Sequence, residues 1–384
     1  MLNKQIDFLI IGQGLAGSML AFELINRGHT VMVLDNSHYG SSSYVAAGII
    51  NPITGHRLNL TTGFVDFFQR ANAFYKDLEE VFSQEFIRSV EQVRLIKNKG
   101  QASYFDKRMQ EPCYQDFLHT SDQQQLFSKP EYGCASIKQT SVVDTKSLLK
   151  EIQTWLKQQS AYQQIKIDYS RIDITDSGVG YSDICDASIN NSDLNKIELN
   201  NLDFNNFDTN NSENHGRHEI NLNAKYLIFC EGYQAINNPW LKHLPFKLAK
   251  GEILSVKPNS IKQAMLSWGS WLVPTNDGAF KLGANYDWNS TELEKTESVK
   301  QKLLDSLASH TNIKKPDLVN HEVGVRPTTI DRQAFVGPIK ALKNTYCFNG
   351  FGSKGCLTIP THVDLLCDHI LNGSPLPEEL CKWL

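Results

Sequence analysis

The chain has 384 residues, 41% of them hydrophobic and 21% charged, with a formal net charge of −4. That length exceeds what one hydrophobic core usually serves, so two interleaved domains are expected, and the mild acidity carries no electrostatic footprint of nucleic-acid binding. No run of about 18 apolar residues predicts a transmembrane helix, and eight scattered cysteines without a Cys-x-x-Cys pair point to reduced thiols in the cytoplasm and to no metal site.

The chain enters an apolar strand within its first ten residues, which leaves no room for a signal peptide. Residues 7–35, DFLIIGQGLAGSMLAFELINRGHTVMVLD, read as strand, glycine turn, amphipathic helix, second strand and terminal carboxylate. Gly12 permits the tight exit from the strand. Gly14 lacks a side chain that would block a pyrophosphate, and Gly17 lets the helix lie close on the sheet. The helix start at Leu15 and Ala16 offers backbone N–H groups and partial positive charge to phosphates. Asp35 is placed to accept hydrogen bonds from a ribose 2′-OH, which favours FAD or NAD over NADP.

A small-residue loop follows at 41–57, SSSYVAAGIINPITGHR, and then apolar residues at helical spacing over Phe64–Phe82. Residues 90–132 mix short strand-like runs with polar turns. At 142–158 a strand end leads into a helix with Asp144 as its N-cap, and a strand-like segment covers 165–174. Residues 183–215 are crowded with Asn, Ser and Asp and read as a surface insertion without catalytic role. Leu199, Leu202, Phe204 and Phe207 keep a docked hairpin open as the alternative.

Order returns with a strand at 226–230 running into the turn Glu231–Gly232, which suits a strand end approaching a nucleotide. Strand-like pieces at 251–256, 270–275 and 280–288 alternate aromatic and apolar positions, as in an antiparallel sheet. A helix is expected over 292–310. A strand, the glycine-rich turn GFGSKG and a final helix beginning near Pro360 close the chain.

Four pieces stand in a telling order: GQGLAG with Asp35, SSSYVAAGI, AKGEILSV, and GVRPTTIDRQAFVGP followed by GFGSKG. In that order they resemble the D-amino-acid oxidase-like flavoprotein superfamily, with its glycine oxidase and sarcosine oxidase members, over residues 7–371 apart from the insertion. GVR…D…VG, GFGSKG followed by IP, and GANYD are also similar to the flavin half of bifunctional tRNA wobble-uridine modification enzymes. The resemblance selects FAD over NAD. It implies an α/β fold, a Rossmann-like FAD-binding domain (1–85, 140–235 and 320–384) interleaved with an antiparallel-sheet (α+β) substrate domain (86–139 and 236–319).

FAD is long, so its site draws on distant segments. Ser42, Ser43, Ala46, Ala47 and Gly48 are small enough for a loop pressed along the ribityl chain and ring edge; the alternative is a generic flexible loop. Gly232 would approach the nucleotide. The turn Gly350, Phe351, Gly352, Ser353, Lys354 and Gly355 offers consecutive N–H groups before a helix, a setting that would favour the negative charge of a reduced flavin. A plain glycine-rich connection is its alternative.

The resemblance implies that Arg326, in G-x-R-P, binds a substrate carboxylate, which a guanidinium can do bidentately; a structural ion pair with Asp331 or a neighbouring acid is the competing reading. Glycine oxidases carry a second arginine in the final glycine turn, where this chain has Ser353 and Lys354. Lys354 then lies near the flavin or a substrate anion, or else faces solvent. His56, Arg57, Trp271, Tyr286 and Trp288 are further pocket candidates against a bland core or surface role. Sarcosine oxidases hold their flavin through a cysteine near the start of the segment matching 324–331; none stands there, so FAD is expected to be non-covalent.

The implied function is an FAD-dependent oxidoreductase that oxidises the C–N bond of an amino acid or secondary amine by hydride transfer to flavin N5. Oxygen or another acceptor would take the electrons. The first alternative is a tRNA-modifying flavoenzyme that cleaves an N–C bond in a carboxymethylaminomethyl uridine. The acidic charge and the missing methyltransferase half count against it. The second is a flavin-binding protein without turnover.

Overall fold

The computed structural model describes residues 2–37, 40–186, 217–258 and 264–384. The strand Leu2–Ile11 carries residues 8–11 as an unbroken apolar run, because it is buried on both faces. Phe8 and Ile10 join one hydrophobic cluster, Leu9 and Ile11 another, which is the two-residue alternation of a central strand. It pairs in parallel with Val31–Asp35 on one side and with Arg217–Phe229 on the other. Tyr162–Gln164 extends the parallel set beyond Val31–Asp35.

The long strand Arg217–Phe229 forks the sheet. Residues 217–224 pair antiparallel with Gly178–Asp186, which pairs in turn with Ile172–Thr175. Residues 227–229 pair in parallel with Thr345–Asn349, followed by antiparallel Phe335–Pro338. Helices Leu15–Asn26, Phe64–Phe82, Thr145–Gln158 and Gly355–Asn372 cover one face through Met19, Phe74, Leu148 and Val363.

A second sheet of eight strands runs in the order Asp317–Arg326, Ala249–Lys257, Phe280–Gly283, Trp271–Pro274, Met265–Ser267, Gln92–Leu95, Cys134–Ile137 and Leu118–Ser121. All its pairings are antiparallel except the one between Met265–Ser267 and Gln92–Leu95. Helix Glu297–His310 lays Leu303 and Leu307 against its core. The strand Asp317–Arg326 straddles the expected domain boundary at 320.

Local expectations fare unevenly. Phe64–Phe82 is a helix, and Asp144 caps Thr145–Gln158 by accepting the Ser147 N–H at 3.1 Å. Within 90–132 the chain forms a helix, Lys99–Met109, that short runs and turns did not suggest. It buries Gln101 alone, so it has no apolar stripe to read. Its signal is in the cap: Asn98 accepts the Gln101 N–H and Gln101 accepts the Lys97 N–H.

The expected strand 165–174 is displaced to Tyr162–Gln164 and Ile172–Thr175, with the short turn Tyr169–Arg171 before the second. The strand at 280–288 stops at Gly283 and the following helix starts at Glu297, not 292. The final helix begins at Gly355 and keeps Pro360 inside it, five residues past its first. Of the Asn-rich segment, residues 183–186 end a strand and 187–216 lie outside the described residues, including the four apolar residues named above. Among the described residues no helix is long and apolar enough to cross a membrane.

Candidate active site

The first wall of the site is the turn between Leu2–Ile11 and Leu15–Asn26. Gly12 adopts φ +101°, and a Cβ there would stand 2.6 Å from the Cys230 carbonyl oxygen. A Cβ on Gly17 would lie 1.9 Å from the Gly12 oxygen, so helix and turn touch only because residue 17 is glycine. Gly14 differs. Its missing Cβ would meet only the side chains of Ser43 and Ser41, the nearest atom being Ser43 Oγ at 3.3 Å, and no backbone. Gln13, fully buried between the two glycines, binds the turn into the protein. Its N–H donates to Asp35 Oδ1 at 2.8 Å, and its side-chain amide donates to Ser18 Oγ and the Leu149 carbonyl.

The loop 41–48 is held from both sheets. Ser41 bridges Val325, Gly324 leaves room for Ser42 Cα, and the Ser43 hydroxyl accepts the Leu15 N–H at 3.1 Å. Lys281, on the strand Phe280–Gly283, donates to the carbonyls of Val45 and Ala46 at 3.2 and 2.6 Å. Burial pushes its ammonium pKa down.

At the other strand ends, buried Asn349 ties two turns together. Its amide donates to the Gly232 carbonyl at 2.9 Å, and its oxygen accepts the Gly350 N–H at 2.7 Å. Gly350 and Gly352 press on Thr329 and Thr328, where a Cβ would come within 2.9 and 2.8 Å of a threonine methyl. The glycine turn and the R-P-T-T segment therefore fit as one unit. Phe351 is steadied edge-on by Phe348 and His362.

The far wall belongs to the second sheet. Arg326 ends the edge strand Asp317–Arg326, with its guanidinium carbon 4.4 Å from the centre of the Tyr286 ring. Tyr286 stacks on Trp288, and Lys247 lies over Trp288 in turn. A Cβ on Gly251 would stand 2.4 Å from Arg326 Nη1, so this glycine is what lets the guanidinium lie across its neighbouring strand. Asp331 is engaged elsewhere, with Lys382 at 2.7 Å and Trp383. The competing ion pair is thus absent, and among the described residues no carboxylate lies within ion-pair distance of Arg326. Desolvation depresses its pKa.

These walls enclose a cleft with about 1340 Å³ of empty volume, open to solvent. Of the expected residues, Gly12, Gly14, Leu15, Ala16, Asp35, Ser42, Ser43, Ala46, Ala47, Gly48, Gly232, Phe351, Gly352, Ser353, Gly355, Trp271, Tyr286 and Arg326 line it. Gly17 and Gly350 stand behind the lining as packing glycines. Arg57, His56 and Lys354 are exposed and outside it. Lys354 precedes the final helix; its ammonium is held below its usual pKa by partial desolvation and then by Arg332. Trp288 is exposed, is not among the lining residues and stacks on Tyr286, which is.

Gln13, Asn349, Lys281 and Gly251 were not singled out as site residues from the sequence. Gly251 had a signal, as the glycine of AKGEILSV; the polar residues had none, since the partners that tie them into the site, Asp35 and Leu149, Gly232, and Val45 and Ala46, are remote in sequence. Among the described residues no group of three or more His, Cys, Asp and Glu side chains is placed to hold a metal ion.

The cleft fits a dinucleotide-like cofactor with a flavin. One end is a helix start with a vacant Cβ position at Gly14 and the Asp35 carboxylate beside it; the other is a small-residue loop facing a cation.

The family described as FAD dependent oxidoreductase, DAO, matches residues 7–164 and 191–368. Among curated proteins, the chain is similar to the tRNA 5-methylaminomethyl-2-thiouridine biosynthesis bifunctional protein MnmC of Legionella pneumophila (strain Corby). The two are 23% identical over 415 residues, covering 97% of this chain and 56% of that protein. The chain therefore spans about half the length of the curated relatives it matches. Among solved structures, glycine oxidase from Geobacillus kaustophilus shares the fold with a TM-score of 0.73 at 16% identity, over 97% of this chain and 96% of that one. L-proline dehydrogenase from P. horikoshii gives 0.73 at 16% identity, over 100% and 98%. L-amino acid deaminase from Proteus vulgaris gives 0.73 at 11%, over 99% and 97%.

Proposed function

The chain belongs to the FAD dependent oxidoreductase family, DAO, and on that premise we propose that it oxidises the C–N bond of an amino acid or secondary amine by hydride transfer to flavin N5. The observation that carries this reading is Arg326, a desolvated guanidinium in the cleft without a carboxylate of its own. In this reading the parallel sheet serves the cofactor and the second sheet the substrate, in a cytoplasmic enzyme acting on a small molecule.

FAD, when bound, supplies the two-electron acceptor; the residues of the chain supply position and charge. Gly12, Gly14 and the Leu15–Ala16 helix start would receive its pyrophosphate and Asp35 its ribose. Loop 41–48, fixed by Lys281, would lie along its ribityl chain. Arg326 holds the substrate carboxylate, and the Tyr286 ring against its guanidinium helps to hold that side chain in place. The amine is thereby oriented, and no side chain is needed as a base for a neutral amine. The resulting imine hydrolyses in water.

Solved relatives named for glycine, L-proline and L-amino acid substrates support the class of substrate. The match to MnmC favours a second reading, in which the amine belongs to a modified uridine in tRNA. Anaerobic stopped-flow mixing separates the two. Bleaching of the flavin by free amino acids or N-methyl amino acids supports the first. Bleaching by a modified tRNA alone replaces it with the second, and no bleaching by any of them leaves a flavin-binding protein without turnover.

A further inference from the structure

Glu231 takes no part in the reaction proposed above. It follows the strand Arg217–Phe229 and Cys230, and its Cα lies 3.2 Å from where a Cβ on Gly12 would stand. It therefore sits against the glycine turn and lines the cleft with Gly12, Gly14 and Asp35. Oε1 accepts the Tyr169 hydroxyl at 2.5 Å and Oε2 the Asn238 amide at 2.7 Å.

Both of those partners are neutral. The other titratable groups that face it are the Cys230 and Cys347 thiols, pushed up by burial, and the Tyr169 phenol itself, whose pKa is also raised by burial and then by Glu231. Across the turn stands a second carboxylate, Asp35. Among the described residues no Lys, Arg or His pairs with Glu231. Burial accordingly pushes its carboxyl up to about 7, and the two hydrogen bonds offset only part of that rise.

A pyrophosphate at the Leu15 helix start brings further negative charge to the same end of the cleft. Like charges favour the neutral carboxyl. Linkage then works both ways: a ligand that raises the proton affinity of Glu231 is itself held more tightly when Glu231 is protonated.

We propose that Glu231 couples retention of FAD to pH, cofactor binding taking up a proton at this carboxyl and alkaline conditions weakening the hold on the cofactor. The carboxyl is a raised acid, so the neutral form prevails below its folded pKa and FAD binds best there. As pH rises past that point, the anion opposes the pyrophosphate.

The test titrates apo-protein with FAD, following flavin fluorescence. From about pH 6 to about pH 8 the wild-type dissociation constant should rise roughly five- to tenfold. Glu231→Gln is nearly isosteric and neutral at every pH; it should bind with a flat profile close to the wild-type value at the acid end. Calorimetric titration in two buffers of different ionisation enthalpy should show fractional proton uptake by wild type near pH 7.5 and its loss in Glu231→Gln. Equal pH slopes in the two proteins would overturn the proposal. So would a folded Glu231→Gln protein that binds FAD poorly at every pH, which would mean that the carboxylate serves as an anion. If Glu231→Gln does not fold, wild-type calorimetry decides, and binding without proton uptake overturns it. None of these readouts needs a substrate, so they fail or succeed apart from the amine-oxidation reading.

Discussion

Tyr75 donates its hydroxyl hydrogen to the carbonyl of Cys356 at 3.0 Å, in the place of the amide hydrogen that Pro360 cannot supply four residues along the final helix. The phenol is fully buried, so no water can take its role. Tyr75→Phe should therefore cost about 1–3 kcal/mol, the desolvation of an unsatisfied carbonyl. In a Pro360→Ala background the helix regains its own N–H, and the same Tyr75→Phe change should cost close to nothing. A denaturant double-mutant cycle reads the difference. Equal costs in both backgrounds would show that the hydroxyl does not replace the missing amide.

Two glycines three residues apart should fail in opposite ways. Gly14→Val adds a side chain at a cleft-lining position, where its Cβ meets only the Ser43 and Ser41 side chains and no backbone. The apo-protein should keep its thermal midpoint and lose FAD on gel filtration. Gly17→Ala instead drives a Cβ into the Gly12 carbonyl, and its damage should appear as lost folded protein, whether or not FAD is present. A Gly14→Val protein that retains flavin would remove the pyrophosphate from this turn.

Arg326→Ala should raise the apparent substrate constant by roughly a hundredfold, because breaking a buried charge-assisted pair typically costs about 2–5 kcal/mol. FAD content should be unchanged. Arg326→Lys should recover only part, since an ammonium lacks the bidentate fork. Gly251→Ala gives a partner test: its Cβ displaces the guanidinium without removing it, so the substrate constant should rise while the charge remains. The comparison uses flavin reduction by an amino acid and by its decarboxylated amine. Equal losses on both would place carboxylate recognition elsewhere.

Replacing residues 187–216 with a short Gly/Ser linker should leave FAD content and thermal midpoint nearly unchanged. Asp186 and Arg217 are directly paired across adjacent antiparallel strands, so a few residues suffice to join them. A marked loss of bound FAD would identify a structural role for the segment.

The legible parts of this molecule are those whose physics is local. A glycine turn between two apolar strands, a carboxylate at the second strand's end, an amphipathic helix at Phe64–Phe82 and a capping Asp144 each announce themselves within a short window. Lys99–Met109 escaped because a helix that buries only Gln101 leaves no periodic stripe. Lys281 escaped for another reason. In an alternating strand a lysine reads as a solvent-facing residue, and the carbonyls it serves lie 235 and 236 positions earlier. Gly251 stands in AKGEILSV, but the guanidinium it makes room for belongs to Arg326 on a neighbouring strand. Distance in sequence, not subtlety of chemistry, hid the residues that brace the cleft, whereas Arg326, Trp271 and Tyr286 on its second wall were legible.

That the cleft has walls from both sheets has a mechanical consequence. Gly12, Asp35 and Asn349 come from the forked parallel sheet; Gly251, Trp271 and Arg326 come from the other. A single molecule lying along such a cleft acts as a staple between the two layers. Its binding energy adds to the stability of any state in which both walls are intact and to no state in which either has melted. The holoprotein should thus lose its two layers in one cooperative step, and the apoprotein is where separate transitions would become visible.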